Sequence, residues 1–238
     1  MGMVRRAGSW LIFIALAGIV ALSSPWQYLP AHWNPWEPLG IDHPMTPVSK
    51  WKLRRLHDHP EQCLSLLAAA PADVIDYTPL QDYTPVTGCP LTNVVRIART
   101  SVEFNAGFTV TCPLAVAWTM FEHQQLQPLA QRHFATPVQR VEHYGSFACR
   151  NIYHREDDRR SQHASANAFD VAGFRLADGT RITVLRDWDN PAAAGKSAFL
   201  QELHAKACNY FGTALGPNYN QPHENHFHLD GSGYGFCR

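Results

Sequence analysis

Six cysteines constrain this chain most: Cys63, Cys89, Cys112, Cys149, Cys208 and Cys237. No two of them form a CxxC or any other close pair, which argues against a zinc ribbon or a thioredoxin-type motif. An even number spread along the chain suits disulfides made in an oxidising compartment. Six cysteines allow fifteen connectivities, and sequence alone does not choose among them. The simplest arrangement joins neighbours, Cys63–Cys89, Cys112–Cys149 and Cys208–Cys237. Loops of these lengths predict on the order of 3–4 kcal/mol of stabilisation each from chain entropy.

The start of the chain points to export independently. Arg5 and Arg6 precede an apolar run over 10–22, the pattern of a secretory signal or a signal anchor. Ala21, Ser23 and Ser24 are small, but Pro25 follows at once and makes a poor cleavage site. No Asp, Glu, Lys or Arg lies between Arg6 and Glu37, so the uncharged span reaches the roughly 20 residues that a bilayer needs. Trp26 and Tyr28 then suit the far interface. The sequence therefore predicts a signal anchor or signal peptide over 1–24, with the poor site favouring an uncleaved anchor. The arginines would lie in the cytoplasm and the rest in the periplasm, held at the inner membrane.

Prolines 25, 30, 35, 38, 44 and 47 forbid regular helix and predict an extended, proline-rich tether over 25–47. A single domain over 48–238 follows. With 20 basic and 20 acidic side chains the formal net charge is 0, which speaks against a nucleic-acid partner. An apolar fraction of 45% excludes disorder for the chain as a whole.

Within the domain, a helix is expected from Pro60 to Ala70, with Cys63, Leu64, Leu67 and Ala68 on one stripe. Residues 71–92 read as loop. Strands are expected at 93–98 and 108–111. A second helix starts at 111–113, and Pro128 should end or kink it. Further strands are expected at 138–144, 168–175 and 181–188, the last two joined by a turn at Asp178 and Gly179. A third helix covers 197–211, and a final strand covers 225–229. Helices first and strands later predict an α+β domain: a small, mostly antiparallel sheet with helices packed on it.

Thirteen histidines are more than a chain of this length ordinarily carries, and two segments concentrate chemistry. The first is Ser161-Gln-His163-Ala-Ser-Ala-Asn-Ala168-Phe-Asp170. The second is His223-Glu-Asn-His226-Phe-His228-Leu-Asp230. On a strand, alternate side chains share a face. His226 and His228 would therefore project together while Phe227 points into the core. Two imidazoles do not complete a metal site, and the first segment offers His163 and Asp170. A His/Asp/His set with an open fourth position is a catalytic zinc arrangement that acidifies bound water to a pKa of about 7. Taken singly, each residue has an ordinary explanation. A lone His-x-His is common on surfaces, Ser161 is able to cap a turn, and His57, His123, His133, His143 and His204 suit surface or satisfied core positions. Arg159 and Arg160 beside Asp157 and Asp158 read as a solvated charge cluster.

Together, Ser–x–His–x(4)–Ala–x–Asp followed by His–x–His resembles the zinc D,D-peptidase superfamily with the hedgehog/D-Ala-D-Ala peptidase fold. The closer resemblance is to the bacterial extensin-like C-terminal domain family. It is carried also by Gly145-Ser-Phe-Ala-Cys-Arg150, residues 184–188, Ala207-Cys-Asn-Tyr-Phe211 and the stretch from Leu215-Gly-Pro217 to His228-Leu-Asp230, and it covers roughly Cys63 to the C-terminus. The resemblance implies that His163, Asp170 and His228 bind Zn2+. It places His226 beside the metal as base or transition-state stabiliser, and makes His223 an accessory catalytic histidine, as in penicillin-insensitive murein endopeptidases. It gives Arg150 a substrate carboxylate or the oxyanion to hold, a task its guanidinium fork suits. Ser161 belongs to the same motif and is a candidate substrate contact. Two departures stand out. Ala166 replaces a frequent glycine, and Asn225 stands where some branches have a glutamate. The base is then His226, with Glu224 as a second candidate if it shares the strand face.

The expected function is zinc-dependent peptidoglycan hydrolysis, a D,D-endopeptidase cleaving stem-peptide cross-links. D,D-carboxypeptidase activity is the alternative within that class. A non-catalytic module binding zinc or the cell wall is the alternative outside it.

Overall fold

The computed structural model describes residues 24–233 and 235–238, together with Trp10 and Gly18. The signal or anchor expected over 1–24 therefore lies almost wholly outside the described residues. Among the described residues, no helix is long and apolar enough to cross a membrane.

The segment 25–47 does avoid α-helix up to Pro47, apart from a 3₁₀ turn at Pro25–Tyr28. It is not extended, however. Leu39 is buried in the main core, with Ile41 and Met45 packed against it. Lys52 Nζ donates to the Ala31 carbonyl at 2.8 Å, and Gln124 Nε2 donates to the carbonyls of Ile41 and His43. The prolines make turns, and the apolar residues between them give the segment a reason to fold back.

Helix α1 (Pro47–Arg55) starts at Thr46, whose hydroxyl accepts from Ser49 N at 3.0 Å. Helix α2 (Pro60–Ala68) has proline in its first turn and buries Cys63 and Leu67. Three strands follow where loop was expected: β1 (Ile75–Pro79), β2 (Tyr83–Val86) and β3 (Cys89–Leu91). Their prolines disguise them. β1 is an edge strand and β2–β3 form a separate hairpin, positions where a missing N–H is tolerated.

β4 (Val94–Thr100), β5 (Glu103–Phe104) and β6 (Phe108–Thr111) lead directly into α3 (Cys112–Phe121). Every residue of α3 is buried, so it is apolar all round and central to the core. Pro128 does interrupt the helical run. A π-helical turn, Glu122–Leu126, absorbs the break before α4 (Gln127–Phe134).

β7 (Val138–Gly145), β8 (Ala168–Leu176) and β9 (Arg181–Thr183) come next. The strand expected to run to 188 stops early, because Val184–Asp187 forms one helical turn. Asp187 Oδ2 reaches back to accept from Thr183 N at 2.7 Å and closes it. Helix α5 (Ala194–Ala207), β10 (Thr213–Leu215), β11 (Phe227–Asp230) and β12 (Phe236–Cys237) complete the chain.

The fold is α+β. One sheet has the order β1-β4-β6, and a seven-stranded sheet has the order β12-β10-β11-β8-β7-β5 with β9 also on β8. Pairing is antiparallel except for β10–β12 and β5–β7. Trp118 of α3 meets Phe104 and Phe169 with ring centroids at 6.0 and 5.1 Å. Phe108 stacks on Phe169 at 4.3 Å. These rings join both sheets and the central helix in one core.

The disulfides are Cys63–Cys112, Cys89–Cys149 and Cys208–Cys237. Only the last joins neighbours. α2 packs on α3 and β3 packs on the 3₁₀ turn at Gln162–Ser165, so tertiary contact interleaves the first four cysteines.

Candidate metal centre

Two paired strands carry the centre. Asp170 on β8 and His228 on β11 are direct cross-strand partners. Phe227 is 2% exposed while its neighbours face the site, the alternation that a strand imposes. His163 arrives from the 3₁₀ turn Gln162–Ser165, whose N-cap is Ser161, its hydroxyl accepting from His163 N at 3.3 Å. Ser161 thus positions His163 through the backbone. Ala166 ends that turn in left-handed backbone, φ 54°, which explains why glycine suits this position.

His163, Asp170 and His228 converge. His163 Nε2 lies 3.1 Å from His228 Nδ1 and 3.1 Å from Asp170 Oδ2, and His228 Nδ1 lies 2.9 Å from Asp170 Oδ1. Zinc bonds of about 2.0–2.1 Å at tetrahedral angles set donors about 3.3 Å apart. The two imidazole nitrogens and the Asp170 carboxylate, which meets one nitrogen with each oxygen, therefore lie near the spacing of three corners of such a site.

The outer nitrogens are fixed as well. His163 Nδ1 donates to the Ser146 carbonyl at 3.0 Å, which turns Nε2 toward Asp170. His228 Nε2 lies 3.2 Å from Asp230 Oδ2, leaving Nδ1 inward. Outer partners of this kind orient metal-binding imidazoles. Burial opposes the charge on Asp170, but hydrogen bonds from His163 and His228 outweigh it and hold the carboxyl far below its ordinary range. Burial likewise opposes the charge on His228, yet Asp170 and Asp230 carry it up to about 9.

His226 precedes β11 with Nε2 3.6 Å from Asp170 Oδ1, and its Nδ1 donates to Asn225 Oδ1 at 2.8 Å. Burial pulls its pKa down, so a neutral ring turns a lone pair toward the cluster. His223 donates from Nδ1 to Asn220 Oδ1 at 2.5 Å. Burial, with His228 and His226 nearby, brings it down to about 4. Arg150 is half-buried, and its positive charge reaches both His223 and His226. Glu224 differs from expectation. It is exposed in helical backbone at the end of the turn Gln221–His223, not on the strand face.

A family model, extensin-like protein C-terminus, matches residues 61–238. The chain belongs to this family. The match takes in His163, Asp170 and His228 as well as Arg150, His223 and His226. Comparison with curated proteins gives no match, and comparison with solved structures gives none either.

Sequence reasoning missed several residues of this extensin-like site. Asp230 had a signal: two positions after His228, it shares that residue's strand face. Asn220, three residues before His223, gave no signal, and Asn225 was noted only as a departure from the family pattern, not as the partner of His226. The Ser146 carbonyl is backbone and leaves no trace in residue type.

Proposed function

We propose that this extensin-like chain is a zinc-dependent peptidoglycan hydrolase of the cell envelope, and specifically a D,D-endopeptidase acting on stem-peptide cross-links. The observation that carries the reading is the convergence of His163 Nε2, Asp170 and His228 Nδ1 within hydrogen-bonding distance of one another. Those three residues would hold Zn2+. When bound, zinc supplies Lewis acidity toward a scissile carbonyl and brings water near neutral pKa.

The chain's own residues account for the rest. His226 is neutral at physiological pH, with Nδ1–H spent on Asn225 and Nε2 free to take a proton. His223, also neutral, stands next to it, ring centroids 5.3 Å apart. His226 then returns the proton it has taken to the departing amine, beside an uncharged His223. Arg150 holds a substrate carboxylate or the developing oxyanion. Asn225 and the exposed Glu224 leave His226 as the base. Three disulfides support an oxidising compartment such as the periplasm. On this reading the N-terminal run serves as export signal or inner-membrane anchor.

Digestion of purified sacculi by the full chain, with and without chelator, tests the proposal. Mass spectrometry should show cross-linked dimers converted to monomers, and His228→Ala and chelation should each abolish this. Loss of one terminal D-Ala would instead assign carboxypeptidase activity. Wall binding by zinc-loaded protein without turnover would assign a binding module. Full activity without metal would remove the zinc mechanism.

A further inference from the structure

A groove of about 420 Å³ opens beside the metal centre. One wall is the β6 strand, which pairs with β4 and leaves its other edge toward the groove. The opposite wall is the end of β7 and the residues after it. There the β7–β8 register shifts at Glu142/His143 and again at His143/Gly145. Bulges of this kind re-aim side chains next to sites. Tyr144 falls out of the ladder, is 61% exposed, and sets its ring edge-on to His226 at 5.8 Å. Gly145, at φ +113°, adopts a backbone that a side chain would strain.

Ser146 joins the two places physically. Its hydroxyl donates to the Thr109 carbonyl on the groove wall at 2.6 Å, and its own carbonyl accepts from His163 Nδ1. Tyr144 both lines the groove and meets the His226 ring, so the groove ends against the side chains around the candidate centre. Its charge is one-sided. Arg96 lines it, exposed, with no side-chain hydrogen bond or ion pair among the described residues, and no Asp or Glu lines it.

We propose that this groove is a subsite for an extended, carboxylate-bearing peptide. Arg96 would pair with the carboxylate, Tyr144 would pack on the peptide, and the chain would run on into the metal centre. A cleft between a strand edge and an aromatic wall suits an extended segment, and the unpaired guanidinium selects an anionic one. What happens to the peptide at the metal rests on the hydrolase reading; its binding in the groove does not.

The test uses the full zinc-loaded chain and two probes: a synthetic stem pentapeptide ending in D-Ala-D-Ala, and the same peptide with its carboxylates amidated. Calorimetry should show the free-acid peptide binding about five- to tenfold more tightly than the amidated one. Arg96→Gln should erase that difference. Tyr144→Ala should weaken both peptides. Competition with a chromophoric chelator should show zinc affinity unchanged in Arg96→Gln. Equal affinity of wild type and Arg96→Gln for the free-acid peptide overturns the subsite, as does no binding by wild type. Tight, Arg96-dependent binding without cleavage upholds the subsite and removes the hydrolase reading. Cleavage at a wild-type KM by Arg96→Gln does the reverse.

Discussion

His228 and Asp230, two residues apart on one strand, face each other with Nε2 3.2 Å from Oδ2. The carboxylate is 5% exposed, and its other oxygen accepts from Ser232 N at 2.8 Å, so it does not swing away. It fixes the ring so that Nδ1 faces Asp170.

Asp230→Ala should therefore weaken zinc binding by about 10- to 100-fold, the usual cost of losing such a partner. Asp230→Asn keeps an acceptor and should lose less. Competition with a chromophoric chelator measures both. Wild-type affinity in Asp230→Ala would show that the strand alone orients His228.

Glu122 tests the core. Its carboxyl is buried and takes hydrogen bonds from the Thr100 and Ser101 hydroxyls and from the Trp118 indole at 2.9 Å. Burial nonetheless dominates and raises its pKa above the ordinary 4.5. A carboxyl that holds its proton more tightly in the folded state adds stability below the unfolded pKa. That stability is lost as pH rises through the folded value. Glu122→Gln removes the titration. Urea unfolding from pH 4 upward should show wild type losing ground to the variant as pH rises. A constant difference would mean that the three donors, not burial, set this group.

Cys89–Cys149 closes a loop of sequence separation 60 and ends one residue before Arg150. Replacing both cysteines by serine should cost about 4 kcal/mol by chain entropy, read by denaturant unfolding. The segment 150–160, tied down otherwise by the Asn151–Arg160 bridge, should become the first site of limited proteolysis. Unchanged cleavage there would show that the bridge suffices.

What the residues revealed depended on range. Strand β8, helix α3 and the His226–Phe227–His228 alternation were legible because each is a local pattern. The His163, Asp170 and His228 set was legible through the resemblance of the combined motif to a known family, and the three do converge. β1 to β3 were hidden by Pro79, Pro85 and Pro90, which edge strands tolerate. The Cys63–Cys112 and Cys89–Cys149 pairings were hidden because they record which elements pack together, and no local rule carries that. Glu224 was misread by extending strand geometry to it: the strand expected from 225 begins only at Phe227, and the chain still turns helically at Glu224.

Gly212 marks a close approach behind the centre. A Cβ at this position would stand 1.2 Å from the Ser232 carbonyl oxygen. Gly212→Ala should destabilise by about 3 kcal/mol or more and displace the turn that holds Asp230. Thermal unfolding and zinc affinity should fall together. A variant that loses neither would show that the 230–233 turn shifts freely.

Because His228 and Asp170 oppose each other across β11 and β8, the ligand set reports the alignment of two strands distant in sequence. Sliding β11 by one residue would send His228 inward and put Phe227 or Leu229 in its place. A misaligned chain then has no cation trap at all. On the proposed zinc reading, ion capture would be reserved for molecules whose sheet has closed correctly, and a bound ion would in turn lock that alignment.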